Sequence, residues 1–459
     1  MSATPAIAGD LPVAPPSSAT APYTVSRSQL RKTVITSLIG QILEWYDFFL
    51  YGTAAALVFG KLFFPIGSDP LIGTIAAFGG FAVGFIARPI GGVLCGHLGD
   101  RYGRKSVLLI TLLVMGFATL CMGLLPTYGQ IGIAAPILLV GLRVLQGLAA
   151  GGEWSGSILM INESAPAHRR GFFSAFSPAG ACLGFVLSSS AFLVAQNLPN
   201  EDFLRYGWRI PFLLSIVLVI VGFYIRARIP ETADFAHTEQ RQEKSRAPIL
   251  DVLRHNPLQV LQVFGLRFGE GGASYLFFAF SLTYGKFIGL SNSLLLSGLT
   301  ISMLLLIPSS LFFGYLSDLI GRKPIYIAGA LGMTALAFPF FWMLNSGQGW
   351  QVLLALILAN SVVLGTLEGA QPAYMCELFP TKVRFSGLGL GRELSSVLGG
   401  GLSPVIAASL LAHYRSHVPV ALYLAGLGIV TLIFLIFIPE TWTRSKRQAA
   451  QRQAQQARP

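Results

Sequence analysis

The sequence predicts an all-α integral membrane protein with twelve transmembrane helices in two pseudo-symmetric six-helix bundles. Three observations carry that prediction. Of 459 residues, 53% are hydrophobic and only 11% charged, against roughly 25% charged in soluble domains. Apolar runs of the roughly 20 residues that a bilayer requires recur about twelve times. In addition, Gly96-His-Leu-Gly-Asp-Arg-Tyr-Gly-Arg-Lys105 returns 218 positions later as Gly314-Tyr-Leu-Ser-Asp-Leu-Ile-Gly-Arg-Lys323. Two weaker echoes have nearly that offset: Glu163 with Arg169 and Arg170 against Glu377 with Lys382 and Arg384, and Pro230-Glu231-Thr232 against Pro439-Glu440-Thr441. An offset near half the chain means that a long unit was duplicated. It excludes short-repeat solenoids and points to a membrane protein built from two related bundles.

In chain order, residues 1–30 form a cytoplasmic tail, rich in Pro, Ala, Ser and Thr up to residue 26 and expected to be disordered. It lacks the basic start and apolar core of a cleaved signal peptide. The N-terminal bundle, 31–228, has spans near 33–60, 71–97, 105–125, 131–162, 171–196 and 208–228. A charged cytoplasmic hinge, 229–256, leads to the C-terminal bundle, 257–442, with spans near 257–286, 293–317, 323–345, 350–379, 385–412 and 418–438. The last segment, 443–459, is a short, basic cytoplasmic tail without heptads. Gly80/Gly84, Gly147/Gly151, Gly152/Gly156 and Gly387/Gly391 are small-xxx-small pairs suited to close helix contact in lipid.

The net charge of +12 invites a nucleic-acid partner, but the placement of the charges removes the need for one. With the N-terminus inside, 23 of the 32 Lys and Arg fall on cytoplasmic tails and loops, and only Lys61, Arg205, Arg209, Lys286 and Arg415 fall outside. This positive-inside bias puts both termini in the cytoplasm. Cys95, Cys121, Cys182 and Cys376 have no pair spacing and read as buried thiols rather than disulfides or metal ligands. Gly387-Leu-Gly-Leu-Gly391 lacks the preceding strand and lysine of a phosphate loop. No Ser/His/Asp, HExxH or Cys/His arrangement supports an enzyme or a metal site.

Four arginines stay inside the membrane: Arg88, Arg143, Arg267 and Arg392. With them are the acids Glu44, Asp47, Glu153, Glu270, Glu368 and Glu393. A charge at the bilayer centre costs at least about 2.5–3.5 kcal/mol on insertion scales, so each must face a wet path or a partner. The charged spans are the first, second, fourth, seventh, tenth and eleventh, which are expected to surround a central path. Glu44 and Asp47 share one helical face, with Tyr51 a turn further on. Two carboxylates so close disfavour double ionisation, which suits one of them to carry a proton. The alternative is that Asp47 caps or pairs with a neighbouring span. Arg267 and Glu270, three apart, can neutralise each other or serve proton coupling. Arg392 and Glu393 are adjacent, point to different faces and each need a partner. Glu153-Trp154 lies in a glycine-rich turn of helix whose packing explains the glycines but not the acid.

At these residues a family resemblance emerges. The paired GxLxDxxGRK motif, six spans in each half and the Pro-Glu-Thr ending of each half resemble the major facilitator superfamily over residues 31–442. Glu44-Trp-Tyr-Asp-Phe-Phe-Leu-Tyr-Gly52, Ala87-Arg-Pro-Ile-Gly-Gly92, Arg143-Val-Leu-Gln-Gly147, Gly151-Gly-Glu-Trp154 and Trp208-Arg-Ile-Pro211 are similar to metabolite:proton symporters, and much of the N-terminal half resembles bacterial shikimate permeases. The resemblance implies a conformational latch at the first loop motif. Asp100 would pair with basic groups while the cytoplasmic side is closed, Arg101, Arg104 and Lys105 would hold adjoining loops, and Gly96 and Gly103 would permit the turn. Asp318 and Arg322 belong to the second copy, where Leu319 replaces a basic residue and a smaller role is expected.

The expected function is proton-coupled uptake of a small organic acid across the bacterial inner membrane by alternating access. Arg143, Arg88 and Arg267 are the candidate carboxylate partners, because a guanidinium gives planar two-point recognition. Tyr46, Tyr51 and Trp154 are candidates to flank the substrate body. Asp47, Glu44, Glu153 and Glu270 are the candidate proton carriers. No cofactor beyond the proton gradient is expected, the lipid bilayer is the surrounding partner, and a monomer suffices. The alternative is uptake of a zwitterionic osmolyte such as betaine or proline, whose ammonium group suits aromatic faces. A non-transporting membrane sensor would need a long output domain, which neither tail supplies. The topology predicts that single cysteines replacing Lys61 or Lys286, in a background without the four native cysteines, react with an impermeant thiol reagent added outside the cell. Reaction from the cytoplasmic face alone would invert the assignment.

Overall fold

The computed structural model describes residues 27–65, 70–102, 104–151, 153–228, 248–380 and 384–442. All regular structure among the described residues is helical. In lipid a helix satisfies its own backbone polar groups, which is why these apolar runs take that form. The six helices of the first half are α1 (Leu30–Leu62), α2 (Leu71–Cys95), α3 (Arg104–Leu124), α4 (Ala134–Ser164), α5 (Ala167–Ala195) and α6 (Gly207–Tyr224). Those of the second half are α7 (257–287), α8 (Asn292–Ile320), α9 (Arg322–Asn345), α10 (Gly349–Leu378), α11 (Ser386–Tyr414) and α12 (Val418–Phe437). Ten are long and apolar enough to cross a membrane by length and composition. The other two complete the twelve: α3, and α7 with its buried Arg267 and Glu270.

Helical structure begins at Arg27, three residues before the span labelled α1, so the expected disordered tail is shorter by a few residues. A short helix, Pro248–His255, precedes α7. Residues 1–26, 229–247 and 443–459, on which the rest of the expected tails and hinge fall, lie outside the described residues.

Inside each half, small residues set the helix spacing. A Cβ on Gly147 would stand 2.1 Å from the Gly84 carbonyl oxygen, and one on Gly151 would stand 2.1 Å from that of Arg88. Thus α2 and α4 meet backbone to backbone, as the glycine pairs predict. Both first helices of the halves carry a π-helical turn, Ala55–Phe59 in α1 and Leu276–Phe280 in α7, so the sequence duplication persists in local geometry.

The halves touch at both ends. At the end where α8 meets α9, Asp318 at the end of α8 accepts hydrogen bonds from the Gly171 and Phe172 N–H groups, both at 2.9 Å, where α5 begins. A carboxylate there satisfies N–H groups that the first helical turn leaves without intrahelical partners. Asp318 also pairs with Arg322 at 2.8 Å, and Arg322 meets Glu377 at 3.3 Å. Arg384 of the second half reaches Glu163 of the first at 3.3 Å. The second motif copy, expected to have the smaller role, therefore makes a direct clasp between halves. Gly96, Asp100, Arg101, Arg104 and Lys105 lie on stretches whose side chains are outside the described residues, as is Gly103 altogether.

At the opposite end, the Lys286 ammonium donates to the Leu57 carbonyl at 3.3 Å across the halves. Phe49 of α1 meets Phe278 of α7 edge-on, with ring centroids 4.8 Å apart. Within the second half at that end, Asn345 accepts from the Tyr284 hydroxyl at 2.6 Å and faces His417 Nδ1 at 3.3 Å. Burial there moves the His417 imidazole below its ordinary value.

The turn between α8 and α9 depends on Gly321, whose φ of 114° is open only to glycine at ordinary cost. A Cβ there would also lie 2.7 Å from Glu440 Oε2, and the Glu440 carboxylate accepts the Arg322 and Lys323 N–H groups that start α9. Gly321→Ala is expected to destabilise by roughly 1–3 kcal/mol from backbone strain and to lower the unfolding temperature in detergent. Gly141→Ala, with nothing within 4 Å, should leave it unchanged. Equal unfolding temperatures for the two variants would show that the turn relaxes freely.

Candidate substrate cavity and intramembrane charge network

Between the halves lies a cavity of about 50 Å³. That is room for a few waters, since one needs roughly 10–15 Å³. Spacing along each helix explains its lining. Trp45 and Phe49 project from one face of α1, Arg267, Ser274 and Phe278 from one stripe of α7, and Leu364, Glu368 and Gln371 from one stripe of α10. Trp154 from α4 and Cys182 from α5 complete the aromatic and apolar side. One wall therefore offers indole and phenyl faces, and the other offers a guanidinium, a carboxyl, an amide and a hydroxyl.

The polar wall is a network in the second half. Arg267 Nη1 donates to Glu270 Oε2. The same oxygen accepts from Gln371 at 2.9 Å, while Glu270 Oε1 accepts from Ser274 at 2.9 Å. Gln371 also donates to the Tyr326 hydroxyl, which donates to the Leu266 carbonyl at 2.6 Å. Arg267 Nε has no hydrogen-bond partner among the described residues. Buried pairs persist only when further hydrogen bonds satisfy their remaining atoms, and Glu270 meets that condition.

A second network crosses the halves. Arg88 of α2 donates to Glu44 of α1 and lies 3.3 Å from Glu393 of α11. Glu393 in turn pairs with Arg392 at 2.5 Å, and the Arg392 guanidinium lies 3.8 Å from the centre of the Trp154 ring. Arg392 and Glu393 thus pair with each other, contrary to the expectation of separate partners. The Glu393 carboxylate reaches back along the helix and Arg392 gains the indole face as its second neighbour. Arg88 is held between two carboxylates, which argues against it as a free carboxylate receptor, and Glu44 is occupied as its counter-ion.

Arg143 occupies a third environment. Its guanidinium carbon lies 4.1 Å from the Phe48 ring centre, 4.6 Å from Tyr51 and 4.8 Å from Phe81. It donates to Gln146, which donates to Thr119 Oγ1 at 2.8 Å, and that hydroxyl donates to the Met115 carbonyl at 3.0 Å; Asp47 of α1 lies near this group. Asp47 does not face the central cavity. With Glu44 it borders a void of about 10 Å³ against α3 and α6, about the size of one water. Rotation along α1 is the reason: Trp45 and Phe49 take the cavity face, which leaves positions 44 and 47 turned into the bundle.

Two aromatic candidates also turn away. The Tyr46 hydroxyl donates to the Pro211 carbonyl at 2.7 Å, and the Tyr51 hydroxyl donates to that of Ala77 at 3.4 Å. Trp154 and Arg267 are the proposed substrate contacts that the cavity brings together, with Glu270 directly behind. The Glu153 side chain lies outside the described residues. Sequence reasoning counted Glu368 among the intramembrane acids without giving it a role, and it passed over Trp45 and Gln371. Trp45 was legible as the i−4 neighbour of Phe49, and Gln371 as a polar residue three positions after Glu368.

Comparison with known proteins agrees with this architecture. Residues 37–404 and 299–458 match the Major Facilitator Superfamily. The chain is 42% identical to the shikimate transporter of Escherichia coli over 423 residues, covering 90% of this chain and 95% of that protein. It is 34% identical to the glycine betaine/proline/ectoine/pipecolic acid transporter of Dickeya dadantii, covering 91% and 85% respectively. Among solved structures, the E. coli xylose transporter in a partially occluded inward open conformation superposes with a TM-score of 0.73 at 19% identity, covering 90% of this chain and 99% of that one. That likeness is one of fold. The duplicated six-helix halves, the cavity between them and these matches lead to one conclusion: this membrane transporter belongs to the major facilitator superfamily.

Proposed function

We propose that the protein imports a small organic acid together with a proton across the bacterial inner membrane, with both termini in the cytoplasm. The observation that carries this reading is the Arg267 guanidinium in the polar wall of a cavity whose other wall is faced by Trp45, Phe49 and Trp154. A guanidinium with an unsatisfied N–H recognises a carboxylate, and the rings suit a compact ring or apolar body. The shikimate transporter among the relatives supports that substrate class. Alternating access would proceed by exchange between the clasp at Asp318 and the contacts at Lys286. The proton gradient is the driving force and no cofactor takes part.

Asp47 remains the proton carrier proposed for the N-terminal half. It lies near the Arg143–Gln146–Thr119 group, so a change in its charge acts on a buried guanidinium that has aromatic rings in place of an anion. Uptake of a betaine-like zwitterion is the second reading. It draws on Trp45 and Trp154 facing Glu368, an arrangement that would also hold a quaternary ammonium, and on the betaine-transporting relative.

Three measurements test these assignments. Proteoliposomes should accumulate radiolabelled shikimate or a similar monocarboxylate only under an inward proton gradient. Accumulation of betaine alone would select the second reading. Arg267→Lys loses the planar fork and should raise KM by about tenfold or more, a charge-assisted hydrogen bond being worth about 1.5–3 kcal/mol. Arg143→Lys should leave KM within a few-fold, since that guanidinium lies outside the cavity wall; the reverse ranking would move the anion site into the N-terminal half. Asp47→Asn should abolish gradient-driven accumulation while counterflow exchange persists, and loss of both activities would assign Asp47 to packing.

A further inference from the structure

We propose that Arg392 is a second carboxylate anchor, covered by Trp154 in this conformation, and that it favours a substrate with two carboxylates over one with a single carboxylate. The inference rests on the acid-uptake reading and names the kind of acid.

Arg392 is fully buried, yet only one of its three nitrogens is engaged. Nη1 donates to Glu393, while Nε and Nη2 have no hydrogen-bond partner among the described residues. Those two nitrogens project from the same side of the planar group and form the fork that grips a carboxylate at two points. A buried donor without a partner is costly, so a whole fork left empty calls for an occupant. The Trp154 indole is not that occupant. Its ring centre lies 3.8 Å from the guanidinium carbon, and a ring face answers the charge without supplying an acceptor to the fork.

Arg143 also leaves Nε and Nη2 unpartnered, but its rings, Phe48, Tyr51 and Phe81, belong to its own half and stay with it when the halves part. The cover over Arg392 comes from the other half. There α4 and α11 run close together, since a Cβ on Gly389 would stand 3.5 Å from Ser155 Oγ, beside Trp154. Parting of the halves at this level would carry Trp154 away with α4 and release Glu393 from Arg88, leaving the Arg392 fork open on α11. Trp154 also lines the central cavity, so the indole is the partition between that cavity and Arg392.

Arg267 stands within reach of the same path. A Cβ on Gly391 would lie 3.0 Å from Val263 Cβ, which sets Arg392 level with that part of α7. Arg267 is one turn further, about 6 Å along the axis, and its Nε is also unpartnered. Arg88 shows that one guanidinium in this layer holds two carboxylates, Glu44 on Nη2 and Glu393 on Nε. Glu393 on Nη1 of Arg392 therefore leaves the fork free for a second. A monocarboxylate would use Arg267 alone, and an acid with two carboxylates would use both arginines.

Proteoliposomes of the full chain under an inward proton gradient test this with succinate and butyrate, a diacid and a monoacid of equal length, at neutral pH where both are ionised. The wild type should show a KM for succinate about tenfold or more below that for butyrate. Arg392→Lys keeps the charge that Glu393 pairs with and loses the fork. It should raise the succinate KM to within a few-fold of the butyrate KM and leave the latter unchanged, whereas Arg267→Lys should raise both. A preference retained in Arg392→Lys, or an equal loss for the two acids, would overturn the proposal. If Arg392→Lys does not fold, Trp154 fluorescence decides, read as the difference between wild type and Trp154→Phe. It should shift with succinate and not with butyrate, and an equal response to the two would overturn the second anchor. Uptake of both acids without preference would leave acid uptake standing and remove the second anchor alone. Uptake of betaine and of neither acid would remove both.

Discussion

Every guanidinium inside the bundle must be compensated where water is scarce, and the arrangement of the halves follows from how that is done. Removing one partner of a buried ion pair costs about 3–5 kcal/mol. Arg88 has Glu44 within its own half, and Glu393 has Arg392 within the other. The Arg88–Glu393 contact that joins them is additional. Separating the halves at this level therefore leaves a neutral pair on each side and strands no ion. Arg143 is compensated differently, by an amide oxygen and three ring faces, so it keeps its charge without a dedicated anion.

The two ends at which the halves meet are built from unlike contacts. At the end where α8 meets α9 a single carboxylate, Asp318, receives two backbone N–H groups from the start of α5 while Arg322 holds it from behind. The contact is directional and charge-assisted, and nearby atoms such as Glu440 and Thr441 fix the geometry of its supports. The opposite end relies on ring edges and one ammonium–carbonyl bond. Contacts of such different kinds respond to different influences. Ionic strength and charge substitutions act on the first, and apolar volume acts on the second.

Much of this was legible in the sequence because it depends on counting. The twelve spans follow from run length, and the duplication from the motif at Gly96 and Gly314. The importance of Arg267 and Glu270 follows from their three-residue spacing. Rotation about helix axes was not legible. Asp47 and Tyr46 look as eligible for the central path as Trp45 and Phe49, since all lie within two turns, and only packing against the neighbouring helices decides which face turns inward. Pairing across the duplication was equally hidden. Neither Arg88 nor Glu393 carries any local sign that the other is its neighbour. The role of Asp318 was underestimated because Leu319 breaks the motif at the next residue, although the clasp uses backbone N–H groups that no side-chain pattern can reveal.

The small central cavity bears on how tightly the proposed proton-coupled cycle would conserve the energy of its gradient. A carrier must return to its starting side without cargo, and any solvent it enclosed on that journey would be a vehicle for stray ions. In this conformation the cavity has room for a few waters, which is little solvent in which to carry hydrated ions. In the proposed cycle, exclusion of solvent would itself limit slippage on the unloaded return.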